Sequence, residues 1–97
     1  MNLLPGTIRL TSDGVVGTSG KPIRVFNVVL HSATGGGSTT KFCNGTTGAA
    51  DQWFAIEGIA DQDVIVNFAA GIRFPNGCFM DTDGNVEYCT ITYTEEF

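Results

Sequence analysis

Positive charge is scarce in this 97-residue chain: five lysines and arginines stand against ten aspartates and glutamates, a net charge of −5. Proteins grip nucleic acid by neutralising phosphates with lysine and arginine, so this balance argues against a nucleic-acid partner. Lys21, Arg24 and Lys41 read as solvated strand residues rather than a basic patch. No apolar run approaches the ~20 residues a spanning helix needs. The opening "MNLLPGTIRL" has neither the charged region nor the apolar stretch of a secretory leader. Synthesis and folding in a cytoplasm, with no membrane partner, is the expectation. Three cysteines, an odd number, make no disulfide framework. One histidine and three scattered cysteines suggest no metal site, since the closest pair, Cys78 and Cys89, lacks zinc-knuckle spacing. Also missing is a clean apolar repeat of 3.6 residues, which excludes an amphipathic helix.

What is present points to strands. The chain is 42% hydrophobic and 15% charged, with thirteen glycines against three prolines, a composition that suits short strands joined by tight turns. "GTIRLTS" (6–12) alternates Ile8 and Leu10 with polar residues. "SDGVVGTSGKP" (12–22) reads as turn and loop. "IRVFNVVLHSA" (23–33) is the longest apolar strand, expected to place Phe26, Val28 and Leu30 on one face and Val25, Asn27, Val29 and His31 on the other. Apolar residues on both faces predict a central strand covered on two sides, or one with a side covered by a neighbouring molecule. After the glycine-rich "TGGGS", "TTKFCN" (39–44) is a returning strand, followed by "DQWFAIEGI" (51–59) and "VIVNFA" (64–69), whose Val64, Val66 and Phe68 point one way.

The best-patterned stretch, "GIRFPNGCFMDTDGNVEYCTITY" (71–93), reads strand, turn, strand, turn, strand. Asp83-Gly84 is a favoured two-residue hairpin dipeptide, because both central positions want positive φ. The last strand sets Cys89, Ile91 and Tyr93 on one face. Seven or eight short strands with turns every eight to twelve residues predict one all-β domain over residues 1–97. The expected architecture is a small antiparallel β-sandwich, jelly-roll-like.

Residues that could carry chemistry are few. Asp81, Asp83, Asn85 and Glu87 alternate as calcium ligands would, but Gly84 is fourth and Val86 sixth, where an EF-hand loop has its glycine sixth. An ordinary turn with polar residues facing water is the plainer reading. His31 and Ser32 are adjacent in a strand and so point to opposite faces, which prevents a nucleophile–base pair. Cys43, Cys78 and Cys89 fall within strands as small apolar residues. "GGGS" lacks the context of a phosphate-binding loop. No catalytic, cofactor-binding or metal-ligating residue is therefore expected, and an enzyme is not. Trp53-Phe54 should send one ring to the core and the other either into a second sheet, as in a two-sided sandwich strand, or outward, where a tryptophan can anchor an interface.

"VFNVVLHSATGGGSTTKFCNG" followed by "AAGIRFPNGCFMDTDGNVEYCTITY" resembles the small all-β virion structural proteins, decoration- or cement-like, of tailed bacteriophages. The likeness covers residues 23–93, a strand ending "VVLHSA", a glycine-rich turn, a "GIRF-x-NG" segment and a "DxDGNV-x-Y" turn into a strand closing on Tyr. It implies a structural role in the particle, most directly capsid decoration, with neck, tail or fibre as alternatives. The partners it implies are the major capsid protein or other virion proteins and like copies in a small homo-oligomer, a trimer favoured. It implies residence in the virion after assembly in the host cytoplasm. Leu3, Leu4, Trp53 and Phe97 are the candidate interface residues, three of them apolar residues near the chain ends. A carbohydrate-binding module that stacks sugars on Trp53 or Tyr88 is the rival expectation.

Overall fold

A computed structural model describes residues 3–96 of the chain. Its strands are β1 (Leu3–Leu10), β2 (Gly14–Val16), β3 (Ile23–Ser32), β4 (Thr39–Asn44), β5 (Asp51–Glu57), β6 (Asp63–Phe74), β7 (Cys78–Thr82) and β8 (Val86–Glu96). They form two four-stranded antiparallel sheets, ordered β1-β8-β3-β6 and β2-β7-β4-β5. Only β4 and β5 are both consecutive and paired; every other connection carries the chain from one sheet to the other. That order is the jelly roll, two sheets wound as paired Greek keys.

The winding corrects the hairpin reading of residues 71–93. β7 pairs with β2 and β4, whereas β8 pairs with β1 and β3, so the Asp83-Gly84 turn is a corner between sheets. Neither Asp83 nor Gly84 has a positive φ. The corner is held instead by the Asp83 carboxylate, which accepts the Asn85 N–H at 3.0 Å and the Thr39 N–H at 2.9 Å. The loop at 12–22 also hides a strand: β2 lies inside it, and Asp13 just before it accepts the Thr82 N–H at 2.7 Å.

The core lies between the sheets. Val25, Val28 and Leu30 of β3, Cys89 and Ile91 of β8 and Phe74 of β6 meet Phe42 of β4, Ile56 of β5 and Cys78 and Met80 of β7. Val64, Val66 and Phe68 pack against them from one side, and Ile8, Leu10 and Tyr93 from the other. Inward residues recur every second position, as the strand period requires.

Bulges break that alternation where it matters. The β3–β6 register skips between Val25 and Asn27, which turns Val25 inward with Val28 and leaves Phe26 out of phase. The expected face assignment of β3 therefore holds for Val28 and Leu30 but not for Val25. Opposite Phe26, β6 inserts residues 68–71, where Gly71 takes φ +75° and a Cβ would stand 2.9 Å from the Phe26 ring. Phe26 is covered by this bulge, not by a third layer. The strand runs on through the bulge and so joins the expected segments 64–69 and 71–74 into one of twelve residues.

Candidate functional site

The outward face of the β1-β8-β3-β6 sheet carries a cross-strand row of polar side chains. Register places His31 of β3 opposite Tyr88 of β8 on one side and Asp63 of β6 on the other. The imidazole and the phenol ring stack at 5.0 Å between centroids, 7° from parallel. Arg9 of β1 covers the other side of Tyr88, its guanidinium carbon 4.0 Å from the ring centroid. Asp63 Oδ1 is hydrogen-bonded to His31 Nδ1 at 2.7 Å, while Asp61 and Glu87 approach Nε2 at 3.7 and 3.5 Å. Glu87 reaches this face because the β3–β8 register slips between His31 and Ser32. Asp61 has φ 55°, the left-handed region that aspartate tolerates better than most residues.

The row is a clasp across four strands. Both faces of Tyr88 are occupied, by His31 and by Arg9, so Tyr88 offers no free ring for stacking a sugar. Ser32, buried on the opposite side, is hydrogen-bonded to the Ser38 hydroxyl at 3.0 Å and accepts the Ser38 N–H at 3.1 Å. His31 and Ser32 thus lie on opposite faces, as the strand period predicts. The Asp81–Glu87 carboxylates diverge in the same way: Asp83 holds the corner and Glu87 turns to His31. Among the described residues no group of three or more His, Cys, Asp or Glu side chains is arranged to hold a metal ion.

A shallow cleft of about 340 Å³ opens between Thr11, Asp13, Thr82, Asp83 and Val86. It contains no aromatic ring, and both of its carboxylates already accept backbone N–H groups. The three thiols are buried and free. Burial pushes Cys78 and Cys89 up to about 12, with the neighbouring thiols adding to the effect at Cys78, so none is poised as a nucleophile.

Of the expected interface residues, Leu3 is 58% exposed and Leu4 52%, both on β1, and Trp53 on β5 is 45% exposed. Phe97 lies outside the described residues. Trp53 and Phe54 do not alternate as expected, because the β4–β5 register skips over Trp53. Both rings stay on the side of Phe74, Trp53 stacked on it at 5.2 Å and Phe54 tilted against it at 5.9 Å. Trp53 therefore gives one face to the end of the core and leaves the rest to solvent. Two exposed apolar residues were not singled out in the sequence: Ile59, 57% exposed between β5 and β6, and Ile65 of β6, 61% exposed. The available signal was Ile65 standing between Asp63 and Asn67 on the polar side of an alternating strand.

These features define a small jelly-roll β-sandwich whose outer surface presents a polar clasp and isolated apolar residues. No protein-family model, curated protein or solved structure matches the chain.

Proposed function

We propose that this chain is a structural subunit of a tailed-bacteriophage virion, a capsid decoration or cement protein that binds the particle surface and stabilises it through repeated non-covalent contacts. One observation carries the reading: four of the five exposed large apolar side chains among the described residues stand on edge strands, and the fifth, Ile59, lies between β5 and β6. Leu3 and Leu4 are on β1, Trp53 on β5 and Ile65 on β6, and each of these strands is the last in its sheet. Edges are where a strand can add to another chain, and a subunit that worked alone would favour charged residues there. Each contact is small, and many symmetric copies make it effective through avidity. The partners in this reading are the major capsid protein or another virion protein and like copies of the chain. Its place is the virion, after assembly in the host cytoplasm. The jelly roll supports the reading only by analogy, since viral capsid proteins share that architecture with lectins.

The test uses phage particles assembled without this chain. Purified protein is added and the particles are sedimented. Saturable co-sedimentation at a fixed ratio to the capsid protein, with a higher temperature of genome release, is the expected result. Protein that stays in the supernatant at every ratio overturns the proposal, and binding confined to isolated tails moves it to the neck or tail. The open face of Trp53 favours a second reading, carbohydrate recognition. That reading requires a glycan that raises the melting temperature of wild type and not of Trp53→Ala.

A further inference from the structure

The four sheet edges differ in how they are protected. An edge strand presents unpaired N–H and C=O groups, and folded proteins blunt such edges by shortness, proline, charge or a bulge. β2 has three residues. β1 carries Pro5, which has no N–H to give. β5 is interrupted by the bulge at Trp53. The first part of β6, Asp63–Asn67, has no proline, lysine or bulge, and its register with β3 is continuous from Asn67 to Asp63. The bulge begins only after Asn67.

The side chains leave this edge open. Ile65, at its centre, is the most exposed large apolar residue among those described. Its two polar neighbours on the same face are drawn back toward β3. Asp63 is hydrogen-bonded to His31, and the Asn67 side-chain oxygen accepts from the Asn27 amide. Neither covers Ile65 or the backbone beside it.

We propose that Asp63–Asn67 pairs antiparallel with the same segment of a second copy, about a two-fold axis at Ile65, joining two four-stranded sheets into one of eight strands. This rests on the structural-subunit reading above and names the surface through which copies meet. The occupant follows from the segment's own symmetry. With Ile65 opposite its counterpart, Val64 faces Val66 and Asp63 faces Asn67, so no like charges oppose each other in a chain of net charge −5. A slip of one residue to either side sets an inward valine beside an outward isoleucine, which places the two sandwiches on opposite sides of the joined sheet. Centring on Val64 or Val66 shortens the pairing within this segment. Only the Ile65 centre uses all five residues. The axis is isologous and closes as a dimer, in place of the trimer that the resemblance implies. Five residues extend roughly 17 Å, which makes a small interface and a concentration-dependent dimer.

Sedimentation equilibrium of wild type, Ile65→Lys and Ile59→Lys tests this up to about 1 mM, the range of weak association. Wild type and Ile59→Lys should dimerise and Ile65→Lys should remain monomeric with an unchanged circular dichroism spectrum. Independently, Ile65→Cys should give a covalent dimer with a short bismaleimide and Ile59→Cys should not; the buried native thiols do not compete. A wild type monomeric throughout, or an oligomer that Ile65→Lys leaves intact, overturns the inference. Monomeric protein that still binds particles defeats this inference alone. A dimer that binds none defeats the functional reading alone.

Discussion

Trp53 and Phe74 make one stack with two different duties, and truncating each in turn separates them. Phe74 is 0% exposed, so Phe74→Ala loses both the transfer free energy of the ring and the contacts around the cavity, about 4 kcal/mol. Trp53 is 45% exposed, and a ring system offering up to ~250 Å² then has roughly 140 Å² covered. At ~25 cal/mol/Å² that is about 3.5 kcal/mol, trimmed to about 2 by the largest correction for the compactness of real unfolded chains, roughly 40%. No closed cavity follows at Trp53, because water fills the site. For a domain of this size each kcal/mol moves the melting temperature by ~4–8 °C. Phe74→Ala should thus lower it by ~16–32 °C and Trp53→Ala by ~8–16 °C. The double variant should cost less than the sum by ~0.5–1.5 kcal/mol, the worth of the stacked pair beyond its area. Urea unfolding followed by circular dichroism measures all four proteins. If Trp53→Ala destabilises as much as Phe74→Ala, Trp53 belongs to the core and its exposed face has no claim to be an anchor. If it costs about half as much and also abolishes binding to particles, the ring's open side is where the partner sits.

Three further outcomes follow from local geometry. Gly77 holds φ +99°, and a Cβ there would stand 3.2 Å from both the Gly20 nitrogen and the Gly45 oxygen, whereas Gly20, at φ +78°, has nothing within 4 Å. Gly77→Ala should therefore cost about 1–3 kcal/mol in chemical denaturation and more than Gly20→Ala, which carries the conformational penalty alone; equal costs would remove the steric share. The Arg73 guanidinium, bonded to Glu96 at 2.7 and 3.0 Å, holds that carboxyl below its ordinary value, so the ionised form is favoured in the folded state. Its contribution is present above the ordinary carboxyl pKa of about 4.3 and is lost as pH falls through the lower folded value, so wild type should lose stability below about pH 5 more steeply than Glu96→Gln. Urea midpoints measured across that range check it, and parallel curves would refute it. Finally, the buried thiols of Cys78 and Cys89, pushed up to about 12, should react with Ellman's reagent at the rate of unfolding and at once in denaturant; prompt reaction of the native protein would show that they are not sealed.

The alternation along each segment made strand identity legible, and with it the sandwich. Val64, Val66 and Phe68, like Cys89, Ile91 and Tyr93, turn to one side as the period of two requires. Pairing was not legible. A turn-forming dipeptide such as Asp83-Gly84 marks a reversal of the chain without saying whether the next strand lies alongside or in the facing sheet. In a jelly roll nearly every reversal changes sheet, so local turn chemistry and strand pairing part company. Bulges were equally silent. Nothing around Phe26 or Trp53 announces an extra residue, yet one residue out of phase moved Val25 into the core and drew Trp53 and Phe54 to the same side.

The candidate surfaces were half legible for a related reason. Periodicity tells which face of a strand a residue occupies but not where the strand lies in its sheet, and exposure depends on both. Val29 and Ile65 are paired residues on the outward face of one sheet, yet Val29 is only partly exposed, flanked by neighbours on both sides, while Ile65 stands at the rim. The same position in the order of strands gave His31 two partners, Tyr88 and Asp63, from strands far apart in the chain. Leu3, Leu4 and Trp53 could be named because apolar residues near a terminus, or a lone tryptophan, draw attention wherever they fall. Ile65 could not, because it looks like any strand isoleucine until β6 is known to be an edge. The surfaces most open to another copy are thus set by topology, and the residue most exposed there is the one a periodic reading passes over.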